Sequence, residues 1–203
     1  LYIGLKGTPD ELNLPKTNYW VYPDDADHDE CVERYLDDID QPFPVIYISF
    51  PSAKDPDFTN RYPERSTIDI ITFLPFEAVM EWTGSRWMKR GDDYKELKEK
   101  IAQRLLKELY KQQPQLEGSV DFYELSTPLT TQHFVNYEKG EIYGLDSTPS
   151  RFRQKFLKPH TPIKNFYLTG QDIVTCGVAA ALFSGVLTSS AMTGVNVMKK
   201  VMK

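Results

Sequence analysis

Asn165-Phe166-Tyr167-Leu168-Thr169-Gly170-Gln171-Asp172 opens the stretch that decides this chain, and an uncharged run from Ile173 to Met198 completes it. Asn165 to Thr169 has the composition of a short buried strand, and Gly170 permits a sharp exit from it. After a seven-residue connection, Gly177 opens a helix expected to run to about Met198. Within it Gly177, Ala181, Gly185, Ser189 and Thr193 recur every fourth residue. That spacing lines five small side chains along one helical face, where another backbone or a flat ligand can approach closely.

A strand, a glycine turn, an acidic residue and the open amino end of a small-faced helix form the arrangement in which folds present a dinucleotide cofactor. Two other readings compete. The uncharged run followed by Lys199 and Lys200 has the outline of a membrane span, against which stand its seven Ser, Thr and Asn residues. An ordinary buried helix packed on a sheet accounts for the same periodicity without a ligand.

Composition narrows the class. The chain has 203 residues, 40% of them hydrophobic and 13% aromatic, enough for one large domain or two small ones with a sizeable core. Net charge is −5 and the pI about 5.3, and no basic face is evident, which argues against nucleic acid as a partner. Cys31 and Cys176 stand far apart without a Cys-x-x-Cys spacing, so a reducing compartment, the cytoplasm, fits better than a disulfide scaffold. There is no signal-peptide pattern. The first residue is leucine, and the opening residues have the character of a domain interior, so the chain reads as a piece of a longer protein.

Ahead of the terminal unit the pattern is α+β: a mixed β-sheet with packed helices up to about residue 160, then the strand–helix unit of residues 161–203. Strands are expected at Asn18–Tyr22, Val45–Phe50, Thr67–Leu74 and Val120–Leu125. In Thr67–Leu74, Ile68, Ile70, Thr72 and Leu74 share one face. Asp27, with Glu30 three residues on, has the form of a capping box for a helix through about Asp38. Tyr94, Leu97, Ile101, Leu105 and Leu109 mark an amphipathic helix closed by Pro114. Residues 140–144 form a Gly-Glu-Ile-Tyr-Gly turn.

Other candidate sites are weak. Asp25, Asp27 and Asp29 alternate as in a calcium loop, but Glu30 stands where the turn glycine is needed and Leu36 where a bidentate Glu belongs. The three histidines are scattered without ligand spacing, so no metal is assigned. Cys176 lies just before a helix start with no neighbouring base in the sequence. Trp82, Trp87, Met88, Lys89 and Arg90 cluster, and either peripheral membrane contact or core packing with two surface cations explains them.

Three motifs in order carry a resemblance: Ser126-Thr127-Pro128-Leu129-Thr130-Thr131, Gly140-Glu141-Ile142-Tyr143-Gly144-Leu145, and Asn165 to Asp172 continuing into Ile173-Val174-Thr175-Cys176-Gly177. Together they resemble the carboxy-terminal part of the phytoene desaturase, carotenoid isomerase and retinol saturase group of FAD-dependent oxidoreductases. The last motif is closest to retinol saturase. The resemblance covers about residues 120–195, and the first 115 residues fit the group's substrate domain only loosely. It implies that residues 161–203 return to a Rossmann-like FAD-binding domain, with Gly170 and Asp172 near the ribityl and pyrophosphate portion of FAD. It implies Gly177 and Val178 against the flavin ring, and Thr127, Pro128, Tyr143 and Gly144 near the flavin on the substrate side. The substrate it implies is an apolar polyene or isoprenoid, with NAD(P) as a candidate electron partner and no assigned catalytic residue. One departure is large: none of the eleven glycines makes a Gly-x-Gly-x-x-Gly. The FAD-binding amino-terminal portion is therefore expected elsewhere in the parent protein, and the chain alone is expected to be inactive. A redox-neutral flavin-dependent isomerase and a non-catalytic lipid- or protein-binding module remain the alternatives.

Overall fold

The computed structural model describes residues 1–23 and 27–201. Five strands, β1 (Tyr2–Lys6), β2 (Tyr19–Val21), β3 (Ile46–Ser49), β4 (Arg65–Ile71) and β5 (Val120–Glu124), form one sheet in the order β2-β3-β4-β1-β5. Among the described residues eight α-helical segments accompany them: α1 (His28–Asp37), α2 (Pro51–Lys54), α3 (Phe58–Arg61), α4 (Asp92–Gln112), α5 (Pro128–Val135), α6 (Pro149–Phe152), α7 (Val178–Thr193) and α8 (Met198–Val201). The chain forms two compact units, Leu1–Gly140 and Glu141–Lys203.

Every pairing in the sheet is antiparallel. The α+β class therefore stands, and the expected mixed sheet is corrected to an antiparallel one. The physical reason lies in the sides of the sheet. Parallel strands need crossover helices that bury both faces; here one face alone is packed. Ile3, Leu5, Ile46, Ile48, Ile68 and Ile70 point to that face and meet Ile101, Leu105 and Leu109 of α4 and Tyr35 of α1. The opposite face carries Tyr2, Trp20 and Phe122, all exposed, with Trp20 and Tyr47 rings 4.9 Å apart.

β1 is the strand that sequence patterning missed, and it sits between β4 and β5. Within it Ile3 and Leu5 alternate inward, with Leu1 just ahead of the strand buried in the same core, a signal of only a few residues. β4 begins at Arg65 and ends at Ile71, so Thr72 and Leu74 lie beyond it; Thr72 Oγ1 instead donates to the Val45 carbonyl at 2.7 Å.

Asp27 caps α1, its Oδ1 accepting from the Asp29 and Glu30 amides at 3.0 and 3.3 Å. Asp25 of the same acidic loop lies outside the described residues. Inside α1, Tyr35 is buried and donates its hydroxyl to the Phe73 carbonyl at 3.0 Å, and burial pushes its phenol up to about 12. The 21 residues of α4 stop where Gln113 donates to Leu109 and Pro114 can no longer supply an amide. Tyr94, at the start of α4, joins a second small core with Val79 and Leu129.

Among the described residues no helix is long and apolar enough to cross a membrane. α7 ends at Thr193, earlier than expected, because Gly194 adopts a left-handed conformation (φ 69°) and its amide caps the Ser190 carbonyl. The expected buried strand at Asn165–Thr169 is also corrected. This stretch is largely exposed and holds one isolated bridge, His160 to Tyr167, with Asn165 in a left-handed turn (φ 62°). A strand exists only where a neighbour offers a ladder, and no described strand of the second unit does so.

Candidate functional site

α7 builds the second unit. Its Ala and Leu content favours helix, and its hydroxyl side chains bond back to carbonyls three or four residues earlier: Ser184 to Ala181, Ser190 to Val186 and Thr193 to Ser189. Ala180, Ser184 and Thr188 are buried, and this row holds the 168–170 stretch. Ser184 Oγ accepts the Gly170 amide at 2.7 Å, and Thr188 Oγ1 donates to the Leu168 carbonyl at 2.8 Å. The packed row lies one residue before the small-residue row read from the sequence. Ala181, Ser189 and Thr193 are exposed, and a Cβ on Gly185 would meet nothing within 4 Å.

Gly170 (φ 106°) leads into a 3₁₀ turn, Gln171–Ile173. Asp172 there accepts the Leu145 amide on Oδ1 at 3.1 Å, and a Cβ on Gly144 would lie 2.6 Å from that oxygen. Gly144 itself has φ 68°, so both its conformation and its closeness to Asp172 require glycine. Gly177 stands at the N-cap of α7 (φ 103°), its amide 3.4 Å from Gln171 Oε1. The first helical bond runs from Ala181 to Gly177, so the amides of Val178, Ala179 and Ala180 precede the ladder. Val178 is 79% exposed, and Tyr143 is exposed as well.

Gly144, Gly170, Asp172 and Gly177 are thus drawn into one neighbourhood, with Tyr143 and Val178 at its edges. Thr127 and Pro128 belong to the first unit. Thr127 is 4% exposed and its Oγ1 lies 2.7 Å from the hydroxyl of Tyr94, so the side chain is engaged in holding α5 to α4. Pro128 takes the first position of α5, where its missing amide costs nothing. Gly140 (φ 67°) backs onto it: a Cβ there would lie 2.1 Å from the Pro128 carbonyl oxygen. Arg90 extends over the rings of Trp87 and Tyr94, and Trp87 stacks on His133, so Trp87 and Arg90 pack on α4 and α5. Met88 from the same cluster is exposed.

Arg151 and Ser184 are the residues that sequence reasoning missed. Arg151 is buried in the short α6, whose Thr148-Pro149 start is a legible helix signal, and it reaches four acceptors in residues 145–172. These bonds tie residues 145–147 to the 171–172 turn within the compact unit Glu141–Lys203. Cys176 is exposed and free, and among the described residues no group of His, Cys, Asp and Glu is disposed to hold a metal.

No family model and no solved structure matches the chain. Its similarity to curated proteins is extensive. It is 40% identical over 199 residues to all-trans-retinol 13,14-reductase of Rattus norvegicus and 38% identical over 199 residues to that of Homo sapiens. Each match covers 95% of this chain and 32% of the relative. A prolycopene isomerase of Arabidopsis thaliana is 28% identical over 171 residues, 82% of this chain and 27% of the relative. The likeness carried by three motifs therefore extends well beyond residues 120–195, into the sheet of the first unit. Over 95% of its length this chain is homologous to a region of all-trans-retinol 13,14-reductases, and over 82% of its length to a region of a prolycopene isomerase; it spans about a third of the length of the reductases it matches.

Proposed function

We propose that the chain is the substrate-side portion, residues 1–160, and the closing segment, residues 161–203, of an FAD-dependent oxidoreductase that acts on a carbon–carbon double bond of a retinoid-like or isoprenoid polyene. The observation that carries this reading is the alignment of 95% of the chain with all-trans-retinol 13,14-reductases.

The second unit has donor chemistry suited to the flavin end of the cofactor. The amides at the start of α7 face an open approach, since a Cβ on Gly177 would meet nothing within 4 Å. Such amides favour negative charge on a ring placed against them. Asp172 Oδ2 accepts no hydrogen bond among the described residues, leaving one carboxylate oxygen for a sugar hydroxyl while Oδ1 holds Leu145. Gly170 keeps that edge free of side chains. No Gly-x-Gly-x-x-Gly is present for the ADP end, which is assigned to the remaining two thirds of the parent. When bound, FAD supplies the two-electron chemistry, with NAD(P) as a candidate electron partner. The uncovered aromatic face of the sheet, with Tyr2, Trp20, Tyr47 and Phe122, supplies apolar surface for a long polyene.

The test is spectroscopic. The full-length parent should show a visible flavin absorbance band, and this chain alone should retain none. After anaerobic reduction, incubation with a panel of retinoids and carotenoids should shorten a conjugated system, moving its band to the blue and adding two hydrogens in mass. A parent that binds no flavin overturns the reading. The match to prolycopene isomerase favours a second outcome, redox-neutral isomerisation, marked by a spectral change at constant mass.

A further inference from the structure

Arg151 is 7% exposed, yet no carboxylate pairs with it among the described ion pairs. Its guanidinium is satisfied by oxygens from two segments. Nη1 donates to the Leu145 carbonyl at 2.6 Å and approaches Ser147 Oγ at 3.3 Å; Nη2 donates to the carbonyls of Gln171 at 2.9 Å and Asp172 at 3.2 Å. A buried cation is costly unless its donors are met, and a planar fork meets several carbonyls in a fixed geometry where an ammonium meets them loosely. The two segments are also joined directly, by the Leu145 amide to Asp172 Oδ1. Arg151, Leu145 and Asp172 thus close a ring of hydrogen bonds beside Gly144.

We propose that Arg151 is a positioning residue: it locks residues 145–147 to the 171–172 turn so that Asp172 Oδ2 is presented in one direction to a cofactor hydroxyl. The proposal rests on the FAD reading above and assigns Arg151 no contact with the cofactor. Its effect passes through the backbone carbonyl of Asp172 and through Leu145. Arg151 therefore governs cofactor affinity only while Asp172 has its carboxylate, a property that a brace serving stability alone would lack.

The experiment is a double-mutant cycle on the full-length parent, read as the Kd for FAD by titration of apoprotein well below its thermal midpoint. Flavin binding by the unmodified parent is measured first, and its absence would overturn the cofactor reading and this inference with it. With flavin bound by the parent, Arg151→Met should weaken FAD by about tenfold or more, the effect of losing one charge-assisted hydrogen bond. Arg151→Lys should weaken it less. In an Asp172→Ala background, Arg151→Met should add less than about threefold. Independent, multiplying losses, or a Kd within about twofold of the parent's in folded Arg151→Met protein, would overturn the inference while leaving the FAD reading intact. Should Arg151→Met fail to fold, Gly144→Ala disturbs the same ring with Arg151 in place, by pressing a methyl group on Asp172 Oδ1. It should likewise weaken FAD, and an unchanged Kd there would overturn the inference.

Discussion

A methyl group on Gly140 would sit 2.1 Å from the Pro128 carbonyl oxygen, at a residue whose φ is 67°. Gly84 has a similar backbone, φ 78°, with nothing within 4 Å of a Cβ. The pair separates strain from clash. Gly84→Ala should cost about 1 kcal/mol, the left-handed penalty alone. Gly140→Ala should cost at least about 2 kcal/mol more, because backbone must move as well. Chemical denaturation of the two variants checks this, and equal costs would contradict the contact. The glycines were visible in the sequence, and so was the candidacy of Asp172. Which atoms they press against was not, because Gly144 meets an oxygen 28 positions along the chain and Gly140 meets a carbonyl across the turn of α5.

At the scale of the element, α7 shows how far periodicity reaches. Small residues every fourth position announced a helix with a close-packed face, and the helix is present. Two such rows adjoin, however, and the structure packs the row of Ala180, Ser184 and Thr188 while leaving that of Ala181, Gly185 and Ser189 uncovered. Ser184 and Thr188 hold the packed row by reaching the polar backbone of residues 168–170, where the neighbouring Ala181 and Gly185 have no hydroxyl to offer. Ser184→Ala should cost about 1–3 kcal/mol, because the Gly170 amide loses its acceptor in a buried place. Gly185→Ala should stabilise the isolated chain by about 0.5–1 kcal/mol through helix propensity, having open space for the methyl group. Thermal unfolding of both variants is the measurement, and opposite signs are the expected result.

For the whole molecule, what remains uncovered is as informative as what is packed. One face of the sheet carries exposed aromatic residues, and the small-residue row of α7 faces open space. The chain spans 32% of the reductases it matches, and the proposed role places the cofactor and its domain against α7. Gly185→Leu therefore separates the chain from its parent. In the chain alone it should change stability by less than about 0.5 kcal/mol beyond the propensity gain, as at a surface position. In the parent it should cost about 1–3 kcal/mol through overpacking. Equal tolerance in both would remove the proposed contact at that face.

The sequence by itself determined the α+β class, four of the five described strands, the capped and amphipathic helices, and the motif order shared with all-trans-retinol 13,14-reductases and a prolycopene isomerase. All of these are local properties: alternation, a 3.6-residue period, and turn and cap residues within a few positions of one another. Tertiary structure alone decided the remainder. It placed β1 between two strands distant in sequence, made the sheet antiparallel, left Asn165–Thr169 with one isolated bridge, from Tyr167 to His160, and buried Arg151 among carbonyls from two loops. Strand order, pairing and the satisfaction of a buried cation depend on groups brought together across tens of residues. No short window of the chain contains both partners.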